Sequence, residues 1–407
     1  MEPVMTQHIQ WSKNPFWQAG IHQDSESYFE PHIIEQVLAF QQTHNQYTKT
    51  PLHSLAHLAK DLQLGAIYAK DESKRFGLNA FKVLGGIYAI GRYIAQQVGL
   101  PVETLSFEQL RTAEVKQKLG TLTFISATDG NHGRGVAWAA RELGHQCIIY
   151  MPKGSSHERL TAIQQEGAEA SIRDVNYDEC VRQCAALAEE KGYILVQDTA
   201  WEGYEEIPRW IMQGYAAIAH EMTTQLPSVP THIFVQAGVG SFAAAMTAYF
   251  QQAYAETPPT IIVVEADAAA CYYQSFIGNG DIQFVDGDLQ TIMAGLACGE
   301  PNYEAYHMLK HYATATFACS DAIAATGMRT YANPIEDDAF IISGESGAVT
   351  LGLLVYLKQF AAPHIAQALQ LDETSRVLVI STEGDTDSEQ YRNVTSFGQY
   401  ALTEKEA

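Results

Sequence analysis

The sequence Lys70-Asp-Glu-Ser-Lys-Arg-Phe-Gly-Leu-Asn-Ala-Phe-Lys-Val-Leu-Gly-Gly86 marks the passage from a strand to a helix. The apolar run at residues 66–69 before it is typical of a buried strand, and Asn79 is predicted to cap the following helix. Apolar residues then recur at helical spacing, at Ala80, Val83, Leu84, Ile87, Ile90, Ile94 and Val98. Lys82 therefore falls in the first turn of a predicted amphipathic helix.

A lysine at this position is chemically unusual. The N-terminus of a helix carries partial positive charge, which disfavours a nearby ammonium group. A lysine whose charged form is disfavoured is more readily a neutral amine, able to form an imine or to accept a proton. The stretch alone fits an ordinary solvated lysine equally well, so the rest of the chain has to separate the two interpretations.

The composition is that of a globular protein and argues against a nucleic acid or a membrane as partner. The chain has 407 residues, 46% of them hydrophobic and 18% charged, which allows two domains with sizeable cores. A formal net charge of −22 disfavours binding to nucleic acid or to an anionic membrane. No apolar run reaches membrane-spanning length and no signal-peptide pattern opens the chain, so we expect a cytoplasmic location. The six cysteines show no CxxC spacing, and no metal site is predicted.

Strands alternate with helices along most of the chain. Runs typical of buried strands occur at residues 66–69, 122–128, 147–151, 170–175, 193–197, 231–236, 260–264, 339–342 and 376–380. Helices are predicted between most of them, for example at 136–143 and 157–166. This alternation predicts an α/β fold with two open, mainly parallel sheets flanked by helices.

Polar, glycine-rich turns follow the predicted strands, at the edge where parallel sheets bind their ligands. Asp129 and Asn131 lie in one such turn, and Asp198 begins another. Asp129 can act as an acid or a base beside a ligand, although an aspartate in a turn also commonly caps a helix. His132, in the same turn as Asp129, fits a packed histidine as well as a catalytic one.

The Gly-Val-Gly-Ser loop at residues 238–241 follows a strand and precedes a helix, so its backbone amides can hold a phosphate. Together with Ala243 and Glu265, the same glycines imitate the fingerprint of a nicotinamide-dinucleotide site. A dehydrogenase of that kind would leave Lys82 without a role. A loop that binds a single phosphate, combined with a nucleophilic lysine, favours pyridoxal phosphate as the cofactor. Glycines that merely allow close packing are the third interpretation.

Four motifs together resemble the fold type II (tryptophan-synthase β-like) pyridoxal-phosphate enzymes. They are Ser73-Lys-Arg-Phe-Gly-Leu-Asn-Ala-Phe-Lys82, Thr128-Asp-Gly-Asn-His-Gly133, the loop at 238–241 and Ser381-Thr-Glu-Gly-Asp385. Further motifs are similar to the branch that releases ammonia from 2,3-diaminopropionate: Asp129 itself, Asp198-Thr-Ala-Trp-Glu-Gly-Tyr204, Thr291-Ile-Met-Ala-Gly-Leu296 and Ser343-Gly-Glu-Ser-Gly347. The resemblance runs from about residue 47 to residue 387.

The resemblance implies a carbon–nitrogen lyase that eliminates ammonia from D- or L-2,3-diaminopropionate and yields pyruvate and two ammonia. A serine or threonine dehydratase of the same fold is the alternative, and an NAD-dependent dehydrogenase is a more distant one. The resemblance also implies a homodimer whose active site lies between two domains. The large cofactor-binding domain would comprise residues 1–87 and 211–407, and the smaller domain residues 88–210.

The same resemblance implies roles for single residues. Lys82 would bind the cofactor covalently and act as a base, Asp129 would be a second base, and Asp198 would engage the β-ammonium group or assist Asp129. The cofactor-binding set would be Lys82, Asn131, Gly238, Val239, Gly240, Ser241 and Ser381. Thr382 is the alternative to Ser381 as the partner of the pyridine nitrogen.

Overall fold

The computed structural model describes residues 4–5, 7–18, 24–361 and 363–402. Within these ranges the strands are β1 (Val4–Met5), β2 (Ile9–Lys13), β3 (Leu52–Ser54), β4 (Ala66–Asp71), β5 (Thr123–Ala127), β6 (Gln146–Met151), β7 (Glu169–Ile172), β8 (Ile194–Leu195), β9 (His232–Gln236), β10 (Thr260–Ala266), β11 (Ala313–Cys319) and β12 (Arg376–Ser381). The helices are α1 (Pro31–Gln42), α2 (Ala56–Asp61), α3 (Val83–Val98), α4 (Phe107–Leu110), α5 (Ala113–Leu119), α6 (Asn131–Leu143), α7 (His157–Gln165), α8 (Tyr177–Lys191), α9 (Glu206–Gln225), α10 (Ser241–Ala253), α11 (Cys271–Ile277), α12 (Tyr303–Tyr312), α13 (Asp321–Ala332), α14 (Glu345–Gln359), α15 (Pro363–Ala368) and α16 (Ser388–Thr395).

The larger sheet has eight strands in the order β1-β2-β11-β10-β9-β12-β4-β3. Its five central strands, β11, β10, β9, β12 and β4, are parallel, whereas β1, β2 and β3 pair antiparallel at the edges. Ser381 at the end of β12 is in register with Asp71 at the end of β4. The register therefore brings the turns that follow these strands to one edge of the sheet.

The smaller sheet has four parallel strands in the order β7-β6-β5-β8. All four lie within the range predicted for the smaller domain, although the domain limits themselves remain a prediction. The prediction of two open, mainly parallel sheets flanked by helices is confirmed.

Both faces of the larger sheet are covered, which explains why the middle positions of its central strands β9, β10 and β12 are apolar on both faces. In β10, Ile261 and Val263 pack into a cluster with residues of α3, α9 and α10, whereas Ile262 and Val264 pack against α13 and α14 on the other face. Successive side chains of a strand point to opposite faces, so a strand between two helical layers has no polar face.

Several secondary-structure predictions are wrong or incomplete. Residues 339–342 form no strand, because a run of four apolar residues does not distinguish a strand from a packed loop; Ile341 is buried there and Phe340 is exposed. Strand β11 was not predicted, since its alanines and cysteine have little strand preference and it pairs only in the assembled sheet. Asn79 does not cap a helix: it adopts a φ of +61° and donates to Asp385 Oδ1 at 3.1 Å.

Helices α3 and α6 pack closely against each other near the start of α3. Helix α3 begins at Val83, directly after Lys82, and α6 begins at Asn131 rather than at the predicted position 136. A Cβ on Gly135 would lie 2.7 Å from Val83 Cα, so only glycine lets α6 approach α3 this closely. The glycines that made residues 130–135 look like a turn therefore belong to a helix that packs beside Lys82.

Candidate active site

A cavity lies where turns that follow strands of both sheets meet. It is lined by Phe81, Lys82, Asp129, Asn131, Tyr177, Asp198, Tyr215, Gln236, Gly238, Val239, Gly240, Ser241, Phe242, Gly295, Leu296, Cys298, Ser346, Thr382 and Glu383. Of the residues predicted for the site, all except Ser381 are in this lining. The cavity therefore combines the predicted lysine, both predicted aspartates and the glycine loop.

Lys82 is held as an ammonium group by Asp198. Its Nζ donates to Asp198 Oδ2 at 2.9 Å, and its side chain is only 16% exposed. Burial alone would lower the pKa of this amine, but the carboxylates of Asp198 and Asp129 outweigh it and raise the pKa well above the usual value. The expectation that the helix N-terminus would favour the neutral amine is thus wrong, because a full carboxylate charge in direct contact exceeds the partial charge of a helix end.

Asp198 follows β8 and is buried between three polar groups. Besides the Lys82 contact, its Oδ1 accepts a hydrogen bond from Tyr177 Oη at 3.1 Å, and its Oδ2 lies 3.8 Å from His132 Nδ1. Burial would raise the pKa of this carboxyl, but the Lys82 ammonium and the hydrogen bonds from Lys82 and Tyr177 hold it well below the usual value. Asp198 is therefore ionised and already engaged by residues of the chain.

Asp129 differs from Asp198 in having an uncommitted carboxylate. It follows β5, is half-buried, and lines both this cavity and a wider outer cleft that also contains Arg159 and Asp288. Among the described residues, none forms a hydrogen bond or an ion pair with its side chain. A carboxylate in this state can engage a cationic ligand or accept a proton.

Asn131 opens α6 and is fixed by Glu383, which was not among the residues predicted for the site. The Asn131 amide donates to Glu383 Oε2, and the other carboxyl oxygen of Glu383 accepts from the backbone N–H of Ser346 at 3.0 Å. Glu383 is 2% exposed, and burial raises its pKa. Glu383 follows β12 directly, in the polar turn at residues 381–385, and this position could have indicated that it belongs to the site.

The glycine loop at residues 238–241 presents backbone amides to the cavity. Gly240 occupies the cap position of α10 with a φ of +94°, and in the described part of the chain no side chain caps this helix. The first amides of a helix have no partner within it. The Val239 carbonyl accepts from Tyr272 Oη at 2.9 Å and from the Asn302 N–H at 2.7 Å, which anchors the loop from behind.

Ser241 contributes through its backbone more than through its hydroxyl. Its Oγ donates to the Asp198 carbonyl oxygen and accepts from Asn302 Nδ2 at 2.8 Å. The hydroxyl proton is therefore used inside the protein, and the backbone N–H remains for a ligand. The bond also ties the glycine loop to the segment that carries Asp198.

Of the two candidate hydroxyls after β12, Thr382 lines the cavity and Ser381 does not. Ser381 is fully buried and its Oγ bonds Ser343 Oγ at 2.8 Å. Thr382 Oγ1 accepts from Gln236 Nε2 at 3.2 Å, so its own proton is available to an acceptor in the cavity. This placement favours Thr382 over Ser381 for contact with a ligand.

Glu265 does not support the dinucleotide interpretation. Its carboxyl oxygens accept from the backbone N–H groups of Tyr272 and Tyr273, both at 2.8 Å, and its side chain is fully buried. It therefore caps the start of α11 and cannot reach a ribose. The glycine loop is left as a site for a single phosphate.

The cavity fits pyridoxal phosphate. Free helix amides suit the phosphate, Thr382 offers a donor to a ring nitrogen, and Lys82 offers an amine for the aldehyde. Two further polar atoms of the lining, Tyr215 Oη and Gln236 Oε1, are buried without a hydrogen-bond partner among the described residues, as expected where a polar ligand belongs. The same part of the chain contains no group of acidic, histidine or cysteine side chains able to hold a metal ion, and no helix in it is long and apolar enough to cross a membrane.

Comparison with known proteins agrees with this chemistry. The family model described as "Pyridoxal-phosphate dependent enzyme" matches residues 44–383, and the chain belongs to this family, in its fold type II. Diaminopropionate ammonia-lyase from Salmonella typhimurium is 49% identical over 376 residues, which cover 91% of this chain and 93% of the relative. Within the family, the chain belongs with the diaminopropionate ammonia-lyases.

Solved structures give the same result. Holo diaminopropionate ammonia lyase from Escherichia coli superposes with a TM-score of 0.91 at 45% identity, covering 98% of this chain and 100% of the other. A second structure of that enzyme, in complex with an aminoacrylate-PLP azomethine reaction intermediate, superposes with a TM-score of 0.89 at 44% identity, covering 98% of this chain and 100% of the other.

Proposed function

We propose that this protein is a pyridoxal-phosphate-dependent lyase that eliminates ammonia from 2,3-diaminopropionate and yields pyruvate and two ammonia. The observation that carries the proposal is that Lys82 and Asp129, whose carboxylate has no hydrogen-bond or ion-pair partner among the described residues, line the same cavity beside the glycine loop. The 49% identity to a diaminopropionate ammonia-lyase over nine-tenths of the chain supports the same substrate.

The proposed cofactor contacts follow from the lining. The backbone amides of residues 238–241 hold the phosphate, and Asn131 faces the ring hydroxyl. Thr382, in place of Ser381, donates to the pyridine nitrogen. Because Thr382 is a neutral hydroxyl, it leaves that nitrogen largely unprotonated. Lys82 is the point of covalent attachment.

The proposed chemistry divides the proton transfers between two residues. Pyridoxal phosphate supplies an electron sink that acidifies the Cα–H bond of an amino acid bound to it. Lys82, once it is a neutral amine, removes the Cα proton of one enantiomer, and Asp129 removes that of the other. Loss of the β-amino group requires a proton donor, and the group that has just accepted the Cα proton can return it there.

The role that we propose for Asp198 differs from the predicted one, which was to engage the β-ammonium group or to assist Asp129. Because its carboxylate is bonded to Lys82 and Tyr177, we propose that it orients Lys82 and does not assist Asp129. Asp129 is then the residue that receives the β-amino group of the substrate, since its carboxylate has no other partner among the described side chains.

The remaining proposals concern the whole molecule. We propose a homodimer, a cytoplasmic location and the two-domain division at residues 1–87 with 211–407 and 88–210. Six free, buried cysteines agree with a reducing compartment. Light scattering would test the dimer, for which a mass of about twice 44.9 kDa is expected.

Substrate comparison tests the proposed function. Purified protein reconstituted with pyridoxal phosphate should be yellow, lose this colour with borohydride and carry the label on Lys82. It should then release ammonia from 2,3-diaminopropionate with a kcat/KM at least about 100-fold above that for serine or threonine, the range expected when a site pairs a specific charge. A higher kcat/KM for serine or threonine would identify a dehydratase, and a colourless protein that binds NAD would identify a dehydrogenase.

A further inference from the structure

Lys82 must lose a proton before it can serve as an amine, and its surroundings oppose that loss. The ammonium group is largely shielded, with its side chain only 16% exposed, and is paired with Asp198 at 2.9 Å. Asp198 is itself a poor place to leave a proton, since the Lys82 ammonium beside it holds the pKa of its carboxyl low. A buried site that keeps its charges balanced needs a third group to hold the proton.

His132 has a nitrogen free for that purpose. It lies in the first turn of α6 and is 1% exposed. Its Nε2 lies 2.8 Å from the Val196 carbonyl oxygen, which can only accept, so Nε2 carries the ring proton. In the neutral ring Nδ1 is therefore a bare acceptor, and it is buried without a hydrogen-bond partner among the described residues.

This bare nitrogen faces the carboxylate that holds Lys82. His132 Nδ1 lies 3.8 Å from Asp198 Oδ2, the same oxygen that accepts from Lys82 Nζ. A lone pair and a carboxylate in a dry site repel one another unless a proton lies between them. Asp198 Oδ2 is therefore a neighbour both of the Lys82 ammonium and of an unprotonated acceptor, His132 Nδ1.

We propose that His132 takes up the proton that Lys82 gives up, through Asp198. The Nζ–H bond of Lys82 breaks with its electron pair left on Nζ, the proton passes to Asp198 Oδ2, and an Nδ1–H bond forms on His132. The positive charge moves from Lys82 to His132, Asp198 ends as a carboxylate, and the total charge is unchanged. The proposal deepens the proposed function, which needs Lys82 as an amine, and makes His132 a positioning residue that acts through Asp198.

The surrounding charges make the transfer conditional on the state of Lys82. Burial lowers the pKa of His132, Asp198 raises it, Lys82 lowers it, and the Val196 carbonyl and Asp129 raise it. On its own side, Lys82 also faces Tyr215 and Cys298. While Lys82 keeps its charge, His132 stays neutral; once that charge is gone, the imidazolium faces two carboxylates and no opposing cation.

The alternative is a histidine that merely packs and donates to Val196. Glutamine distinguishes the two roles, because His132→Gln can keep an amide donor near the Val196 carbonyl but has no basic nitrogen. His232→Gln is a matched control: His232 is 5% exposed and its Nε2 lies 2.8 Å from the Leu369 carbonyl oxygen. It begins β9, at the opposite end of that strand from Gln236, and does not line the cavity.

The test is the acetylation rate of Lys82 by acetic anhydride in the full-length apoenzyme, followed across pH by peptide mass spectrometry. If His132 holds the proton, neutral Lys82 forms without release of a proton to solvent. As the pH is lowered, the acetylation rate of the parent should therefore stop falling and stay constant over at least about one pH unit. In His132→Gln the rate should keep falling about tenfold per pH unit. His232→Gln should follow the parent.

Parallel profiles for the parent and His132→Gln would overturn the proposal. If His132→Gln loses its circular dichroism spectrum, Lys82→Met gives a second test: at pH 7 the His132 ring should carry both protons by nitrogen NMR, and one proton in the parent. A singly protonated ring in both proteins would overturn the proposal as well. Neither measurement uses a substrate, so a failure to release ammonia from diaminopropionate would reject the proposed function and leave this result standing.

Discussion

Asp198 Oδ2 accepts a hydrogen bond from Lys82 Nζ at 2.9 Å, and this contact joins a residue after the small sheet to one beside the large sheet. The contact determines the charge state of the lysine on which the proposed chemistry depends. It is also the reason we propose that Asp198 orients Lys82 and does not assist Asp129.

Replacement of Asp198 by asparagine should affect both enantiomers of the substrate alike. The amide removes the charge that favours the Lys82 ammonium, so the pKa of Lys82 should fall, and the amine should lose its orientation. We expect kcat to fall by roughly 100-fold on D- and on L-diaminopropionate, the usual effect of disturbing a general base. A variant with activity close to the parent would remove Asp198 from the account.

Replacement of Asp129 by asparagine should instead separate the enantiomers. If Asp129 and Lys82 each serve one enantiomer, kcat/KM should fall by about 100-fold or more on D-diaminopropionate and much less on the L form. Asp174→Asn is the matched control, because Asp174 lines the outer cleft, is 91% exposed and pairs with Lys153. Equal losses on both enantiomers would contradict the two-base division.

Replacement of Gly240 by alanine should weaken cofactor binding. The residue has a φ of +94°, and a Cβ there would overlap the hydroxyl of Tyr272, so the loop has to move. We expect the Kd for pyridoxal phosphate, measured by fluorescence titration of the apoenzyme, to rise by more than about tenfold, which corresponds to about 1.4 kcal/mol.

Gly99→Ala controls for backbone strain in this experiment. Gly99 has a φ of +73°, but nothing lies within 4 Å of a Cβ built on it. It should lower stability by about 1 kcal/mol and leave the cofactor Kd unchanged. Equal cofactor affinity in Gly240→Ala and the parent would mean that residues 238–241 do not hold the phosphate.

Replacement of Glu221 by glutamine should destabilise the fold strongly. Glu221 in α9 accepts from Lys70 Nζ at 2.7 Å and from Arg75 at 2.8 Å, and all three side chains are at most 1% exposed. Loss of one anion leaves a buried cation unpaired, which costs about 3–5 kcal/mol. Urea unfolding of the apoenzyme measures this loss in the free energy of unfolding. The control is Glu190→Gln, which breaks the exposed pair with Lys191 and should change the free energy of unfolding by less than about 0.5 kcal/mol.

The sequence allowed the sheets and most of the site to be predicted, since both depend on local patterns. Apolar runs identify strands buried on two faces, and the turns after those strands contain Lys82, Asp129, Asp198 and the glycine loop. The family resemblance supplied the chemistry that patterns alone left open between a phosphate loop and a dinucleotide site.

The rest depends on contacts between distant parts of the chain. No local pattern shows that Asp198 meets Lys82 across 116 positions, and the expected neutral amine was wrong for that reason. The choice of Thr382 over Ser381 depends on which side of one strand faces the cavity. Helix α6 starts at Asn131 and its Gly135 packs against Val83 of α3, a contact that sequence spacing does not reveal.

The most direct test of the central claim is the molar ratio of ammonia to pyruvate formed from DL-2,3-diaminopropionate, measured in the holoenzyme and in Lys82→Ala. We expect two ammonia for each pyruvate from the parent and no product from Lys82→Ala. A ratio of one, the absence of pyruvate, or undiminished turnover by Lys82→Ala would contradict the assignment.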